Sequence, residues 1–464
     1  MPEHNADLVI LGGGSGGYAC ALRAAELGMS VVLVERDKLG GTCLHSGCIP
    51  TKAMLHAAEV ADAARDGDKI GVKSSLAGID MAGVNAYKDG VVSKLYKGLQ
   101  GLVKSRKIEL VQGSGRFEGP TTVVVDGEDG TDRYVGGKVV LATGSYSRTL
   151  PGLDIGGRII TSNEAIRLDH VPDRIVVLGG GVIGVEFASV FASFGSQVTI
   201  VEALPRLVPA EDEFASKLLE RAFRRRRIAF KTGVKFTGAR QSDDAVTVSL
   251  ESGEELEADL LLVAVGRGPN TAGLGYEEAG VEIERGFVRT DERLRTNLPD
   301  VYAVGDIVPG LQLAHRGFAQ GIFVAEEIAG LNPPVIDEAG IPRVTYCEPE
   351  VASVGLTEAQ AKERYGEVQT LTYDLAGNGK SQILQTQGAI KLVKSGAEGT
   401  PGPVVGIHMV GARVGELIGE AQLVYNWDAQ AEDVAALVHA HPTQNEAFGE
   451  AHLALAGKPL HSHS

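Results

Sequence analysis

An α/β fold built on two nucleotide-binding βαβ units is predicted by three features of the 464-residue chain. The first is an internal copy. Residues 8–37 read LVILGGGSGGYACALRAAELGMSVVLVERD, and residues 175–204 read IVVLGGGVIGVEFASVFASFGSQVTIVEAL. They align without a gap at a constant offset of 167 residues, which sets Gly12, Gly14 and Gly17 on Gly179, Gly181 and Gly184, and Glu35 on Glu202. The second feature is the pattern inside each copy: an apolar β-rich run, a glycine turn, a helix pattern ending near a glycine, then a second apolar run closed by an acid. The third is a glycine content of 61, high enough to signal many tight turns and close backbone approaches.

Each element of the copied unit has a chemical reason. The first glycine makes the tight turn, the second lets a pyrophosphate reach the backbone, and the third lets the helix pack on the strand. The helix N-terminus offers amide donors and a positive dipole end to the phosphates. The closing acid accepts from ribose hydroxyls. Two such units predict two Rossmann-like domains and two bound dinucleotides. Glu202 also selects the nicotinamide cofactor, because a carboxylate there repels a 2′-phosphate; NAD fits better than NADP. The basic run at 224–227 lies outside the fingerprint and reads as the solvated face of a helix.

Between the copies comes GGTCLHSGCIPTK, residues 40–52. On a regular helix Cys43 and Cys48 stand roughly 7.5 Å apart along the axis, taking five steps of about 1.5 Å. A disulfide wants about 4.4 to 6.8 Å between Cα atoms, so pairing needs a local break. Gly47 and Pro50 supply the residues for an irregular helix start, where the dipole also favours a thiolate. Cys20 and Cys347 lack such surroundings and read as core.

The rest of the chain sets the organisation. Residues 1–148 form the first nucleotide domain, 149–273 the second, and 274–341 a central segment that completes the first site. From 342 to 464, short strand patterns alternate with helix patterns, which predicts an α+β domain. Composition narrows the partners. A net charge of −16 disfavours nucleic acid and anionic membrane. No apolar run approaches the roughly 20 residues of a membrane span. The start MPEHNA lacks signal or transit character, and four cysteines are too few for a secreted scaffold, so a cytoplasmic protein is expected.

These motifs resemble the pyridine nucleotide–disulfide oxidoreductases over essentially the whole chain, and within them the dihydrolipoamide-oxidising branch. GGTCLHSGCIPTK is similar to that family's redox motif, usually GGTCLNVGCIPSK. Ala142-Thr143-Gly144, TNLPDVYAVGD at 296–306 and Leu313-Ala314-His315 follow in the family's order. His439-Ala-His441-Pro-Thr-Gln-Asn-Glu446 resembles its HxHPTxSE.

The resemblance implies FAD on the first unit, at Gly12, Gly14, Gly17, Glu35, Thr42, Gly115, Thr143, Gly144, Asp306 and Ala314. It implies NAD at Gly179, Gly181, Gly184, Glu202 and Gly266. Lys52 is expected at the flavin, paired with Glu186. Cys43 and Cys48 form the redox disulfide, and His441 with Glu446 the acid–base dyad, presented across a homodimer interface. No metal is expected. The implied reaction is NAD-dependent oxidation of protein-bound dihydrolipoamide, with lipoyl domains of 2-oxo-acid dehydrogenase or glycine-cleavage complexes as partners. The dyad has independent sense, since thiol exchange needs a base near neutral pH and a carboxylate can orient the imidazole.

Some positions depart from the family. His45-Ser46 stands for Asn-Val, Asn445 for Ser, GGGSGG for GAGPGG, and RGFAQG for xAExEG. His45 bears on redox potential and substrate rate if it faces the thiols; an outward, solvated ring is the other reading. The open alternatives are another disulfide or quinone reductase of this fold, or a non-catalytic subunit of a complex.

Overall fold

The computed structural model describes residues 1–128 and 130–461. The chain forms two compact units. One comprises Met1–Met54, Ala82–Arg148 and Gly266–Glu338; the other takes Leu55–Met81, Thr149–Val265 and the chain from Ala339 onward.

In the first unit, strands Glu109–Gln112, Val31–Glu35, Glu3–Leu11 and Gly130–Leu141 lie side by side in parallel. Leu8, Val9 and Ile10 are fully buried on both faces, which is why the run reads as continuous rather than alternating. The long strand Gly130–Leu141 takes different neighbours along its length. Its first half pairs antiparallel with Thr122–Gly127, and its last three residues pair parallel with Val301–Ala303. The segment from Gly266 is tied to this unit by strand Arg267–Pro269, antiparallel to Ser145–Ser147.

Helices Ser15–Glu26 and Ala314–Ile328 approach through glycines. A Cβ on Gly321 would stand 2.3 Å from the Gly16 carbonyl oxygen, so the glycine after the serine of GGGSGG and the last glycine of RGFAQG answer one packing demand.

The second unit holds a five-stranded parallel sheet in the order Ala229–Thr232, Gln197–Glu202, Arg174–Leu178, Leu260–Val263 and Ile159–Thr161. Its fingerprint helix, Val182–Phe194, is apolar nearly all round and buried accordingly. Helix Glu213–Arg225 ends in the arginine run, which is not uniformly solvated. Arg226 turns inward, donating to Ser189 Oγ at 2.6 Å and Ser193 Oγ at 2.7 Å, while Arg224 lies over the Phe230 ring. The C-terminal stretch builds a five-stranded antiparallel sheet flanked by helices, Val414–Asn426 and Glu446–Leu455 among them.

A buried ionic cluster spans this unit. Lys391 Nζ bonds Asp212 Oδ1 at 2.9 Å and Glu358 Oε2 at 2.7 Å. Burial alone raises the Asp212 carboxyl, but Lys391, the amides of Glu358 and Phe214, and the His408 ring bring it down to about 2. A depressed carboxyl stabilises the fold above its unfolded value of 3.8, and that stability, about 2 kcal/mol, is lost as pH falls toward 2. Lys391→Met leaves Asp212 buried without its cation. We expect a loss of roughly 3–5 kcal/mol, read as a lower melting temperature at neutral pH.

Candidate active site

The two copied units close in the same way, bond for bond. The Gly12 and Gly179 amides each donate to the following strand, to Val34 and Val201 carbonyls at 2.8 Å. Both glycines hold positive φ, +108° and +114°. A Cβ on either would strike a carbonyl at 2.3 Å, that of Ala142 in the first unit and Ala264 in the second. A Cβ on Gly17 or Gly184 would strike the first glycine's carbonyl, at 1.8 and 1.9 Å. Gly14 and Gly181 differ, for a Cβ there meets nothing within 4 Å. The middle glycine of each turn faces open space at a helix N-terminus, the cradle a pyrophosphate requires.

The acids brace the turns. Glu35 Oε2 accepts from the Gly13 amide at 2.8 Å, and Glu202 Oε2 from the Gly180 amide at 2.6 Å. Their other oxygens accept from Asp37 and Leu204 amides. This supporting role was not legible from the motif alone, which pointed only to ribose.

The contrast among glycines makes a prediction. Gly184→Ala collides with backbone and destabilises the fold, whereas Gly181→Ala has room and ordinary φ. We expect Gly181→Ala to keep its melting temperature yet raise KM for NAD+ about tenfold by crowding the phosphates, which steady-state kinetics will read.

The cysteine segment docks onto the first turn. The Gly40 amide donates to the Gly13 carbonyl at 2.8 Å, and Gly40 and Gly41 both hold positive φ. Cys43 sits in a short helix, Gly41–His45, and Cys48 opens a long one, Cys48–Asp66. The break at Ser46, with φ −145°, removes the helical spacing that would hold the sulfurs apart. Both cysteines are half-buried, and their thiols share a hydrogen bond. That bond and burial push the Cys43 thiol far above its ordinary value, against the pull of the Lys52 ammonium. Burial, with Cys43 and Cys48 nearby, likewise pushes Tyr18 up to about 12. Cys20 and Cys347 are buried, and burial raises both thiols.

Other expected residues gather in the same unit. Thr143 Oγ1 donates to the Asn270 carbonyl at 2.7 Å and meets the buried Tyr276 hydroxyl at 2.9 Å; Gly144 holds positive φ. Asp306 Oδ2 accepts from Ser145 Oγ at 2.5 Å, and Ser145 Oγ accepts from Arg267 Nε at 2.7 Å. Burial lowers the Arg267 guanidinium, against the charges of Asp306 and Cys48. Ser145 and Arg267 were missed; their signal was position, each one residue past an Ala-x-Gly that closes a nucleotide strand. Gly115 packs against Leu11 and Val34, Ala314 opens its helix, Thr42 accepts from the Ser46 amide, and Gly266 holds positive φ.

In the second unit Glu186 is buried on the fingerprint helix and accepts from the Tyr346 amide at 2.9 Å. His441 Nδ1 lies 2.8 Å from Glu446 Oε1, with the ring largely exposed. Burial raises Glu446, but His441 and the Thr443 amide outweigh it and hold the carboxyl below its ordinary range. Asn445 donates to Glu420 Oε2 at 2.6 Å, whose other oxygen meets His439. No helix among the described residues is long and apolar enough to cross a membrane.

Residues 6–321 match the family model for pyridine nucleotide-disulphide oxidoreductase, and 341–452 match that family's dimerisation domain. The chain belongs to the pyridine nucleotide-disulphide oxidoreductases. It is 40% identical to a dihydrolipoyl dehydrogenase of Bacillus subtilis, covering 98% of this chain and 99% of that one. It is 39% identical to the mitochondrial dihydrolipoyl dehydrogenase of Pisum sativum, covering 98% and 92%. Among solved structures, LpdA from Mycobacterium tuberculosis superimposes with a TM-score of 0.90 at 25% identity, covering 98% and 100%. As a pyridine nucleotide-disulphide oxidoreductase the chain is an oxidoreductase of a family that uses FAD and NAD. The glycine turns with an open middle position fit the diphosphates of both.

Proposed function

We propose that the chain oxidises protein-bound dihydrolipoamide to lipoamide with NAD+ as acceptor, using FAD and the Cys43–Cys48 pair. The observation that carries this reading is the hydrogen-bonded thiol pair docked through Gly40 onto the first nucleotide turn. Full-length relatives named dihydrolipoyl dehydrogenase support it.

The chain's own residues do the following. His441, oriented by Glu446, takes a proton from one substrate thiol. The substrate thiolate attacks Sγ of Cys43 in the oxidised pair; the Cys43–Cys48 bond breaks and Cys48 leaves as thiolate. The second substrate thiol attacks the sulfur of the first, releasing lipoamide and returning Cys43 as the thiol. The substrate loses two electrons and the cysteine pair gains them. The N-terminus of helix Cys48–Asp66 stabilises the Cys48 thiolate. FAD, when bound, would supply the two-electron chemistry that links the cysteine pair to NAD+. Lys52, whose ammonium acts on the Cys43 thiol, tunes the charge beside the pair. The enzyme works in the cytoplasm as a homodimer, the dyad of one subunit serving the cysteines of the other. Its partners are separate lipoyl domains of 2-oxo-acid dehydrogenase or glycine-cleavage complexes.

The test is anaerobic reduction by NADH, followed by lipoamide, oxidised glutathione or a quinone. Fast reoxidation by lipoamide is expected. Reoxidation by glutathione or quinone, with lipoamide inert, overturns the reading.

A further inference from the structure

The turn that carries Cys43 is poorly anchored by its own helix. Residues Gly41–His45 form five helical residues, far below the length at which a helix holds itself, and its N-cap, Gly40, has no side chain to cap with. The entry is fixed by Gly40 donating to the Gly13 carbonyl, and the exit by Thr51 Oγ1 donating to the Gly47 carbonyl at 2.7 Å. Between them, one side chain closes the turn on itself. His45 Nε2 lies 2.9 Å from the Leu39 carbonyl oxygen, six residues back, and the ring stands edge-on to Tyr96 at 4.9 Å between centroids. A carbonyl only accepts, so Nε2 carries the proton. The ring is half-buried and committed to Leu39 and Tyr96, so it is not the outward, solvated side chain.

We propose that His45 is a positioning residue for the Cys43–Cys48 couple and that it sets the couple's potential. This rests on the reading of those cysteines as a redox pair. Reduction of the disulfide takes two electrons and two protons and yields two thiols. Its equilibrium depends on how tightly the protein holds the two sulfurs together. Freeing Cys43 from the His45 clamp lowers their effective concentration, disfavours the disulfide and raises the potential. The device belongs to this chain's sequence. The asparagine usual in the family ends its amide nitrogen where the His Nδ1 sits, short of the Leu39 carbonyl. Glutamine places a donor where Nε2 stands.

The experiment uses the FAD-loaded enzyme and its His45→Ala, His45→Asn and His45→Gln variants, equilibrated anaerobically in glutathione redox buffers. Each oxidised glutathione that forms the protein disulfide releases two reduced glutathiones. After thiol alkylation, mass spectrometry counts free thiols on the peptide bearing both cysteines. His45→Ala and His45→Asn are expected to lower the constant for disulfide formation about tenfold, a rise of about 30 mV, while His45→Gln stays within about twofold of the parent. Tyr96→Leu keeps the hydrogen bond, removes the ring contact, and is expected to shift the constant about threefold; it stands in if His45→Ala does not fold. An unchanged constant in His45→Ala overturns the proposal, or in Tyr96→Leu if it stands in. So does a His45→Gln protein that shifts as far as His45→Ala, because then only ring packing matters. A parent pair that forms no disulfide in any buffer overturns instead the functional reading beneath it.

Discussion

Cys48→Ser is expected to lose lipoamide turnover by about four orders of magnitude or more while the protein stays folded. A serine hydroxyl at the head of helix Cys48–Asp66 suits that position and fills nearly the same space. It cannot form a bond to Cys43 sulfur, so substrate electrons have no entry. Reduction of FAD by NADH is a separate half of the cycle and is expected to continue, visible as bleaching of the flavin band. Steady-state lipoamide assays beside anaerobic NADH titration check both halves. A Cys48→Ser protein with parental NADH–lipoamide activity removes the pair from the mechanism.

The second large effect is at the dyad. His441→Gln keeps a polar side chain on an exposed site but cannot take a proton from a thiol, so kcat with dihydrolipoamide is expected to fall by about 10²–10⁴. Glu446→Gln costs less, about tenfold to a hundredfold, since the imidazole remains and only its carboxylate partner is lost. The Glu446 carboxyl lies below its ordinary 4.5, so the charged contact with His441 persists as pH falls through that value and fails only below it. Loss of lipoamide activity at mildly acidic pH is therefore assigned to groups other than Glu446. The pH profile of Glu446→Gln decides this: an acid limb is expected to survive the substitution, whereas its disappearance assigns the limb to Glu446.

How legible was the site? The glycine turns were readable because their constraint is local. A turn of fixed shape, a backbone approach and a following acid recur at set spacings, so two copies announced themselves by alignment. The cysteine pair was readable as chemistry but not as geometry. Helical spacing argued for separation, and only the break at Ser46 and the docking of Gly40 on Gly13 brought the thiols into contact. Position 45 shows the limit plainly. Whether its ring faced thiols, solvent or something else depended on Tyr96, fifty-one positions downstream, on a helix with no motif of its own.

The sequence by itself determined the α/β class and the two nucleotide units, because both are written in short-range spacing that backbone chemistry demands; the cysteine pair and the His–Glu pair it offered as candidates, through their resemblance to a family. Only the tertiary structure decided that Gly16 and Gly321 are a helix contact, that Arg226 turns inward, and that Lys391 is buried between Asp212 and Glu358. Those outcomes join residues tens to hundreds of positions apart. They follow from which surfaces exclude water and which charges are left to pair, and no local pattern encodes that choice.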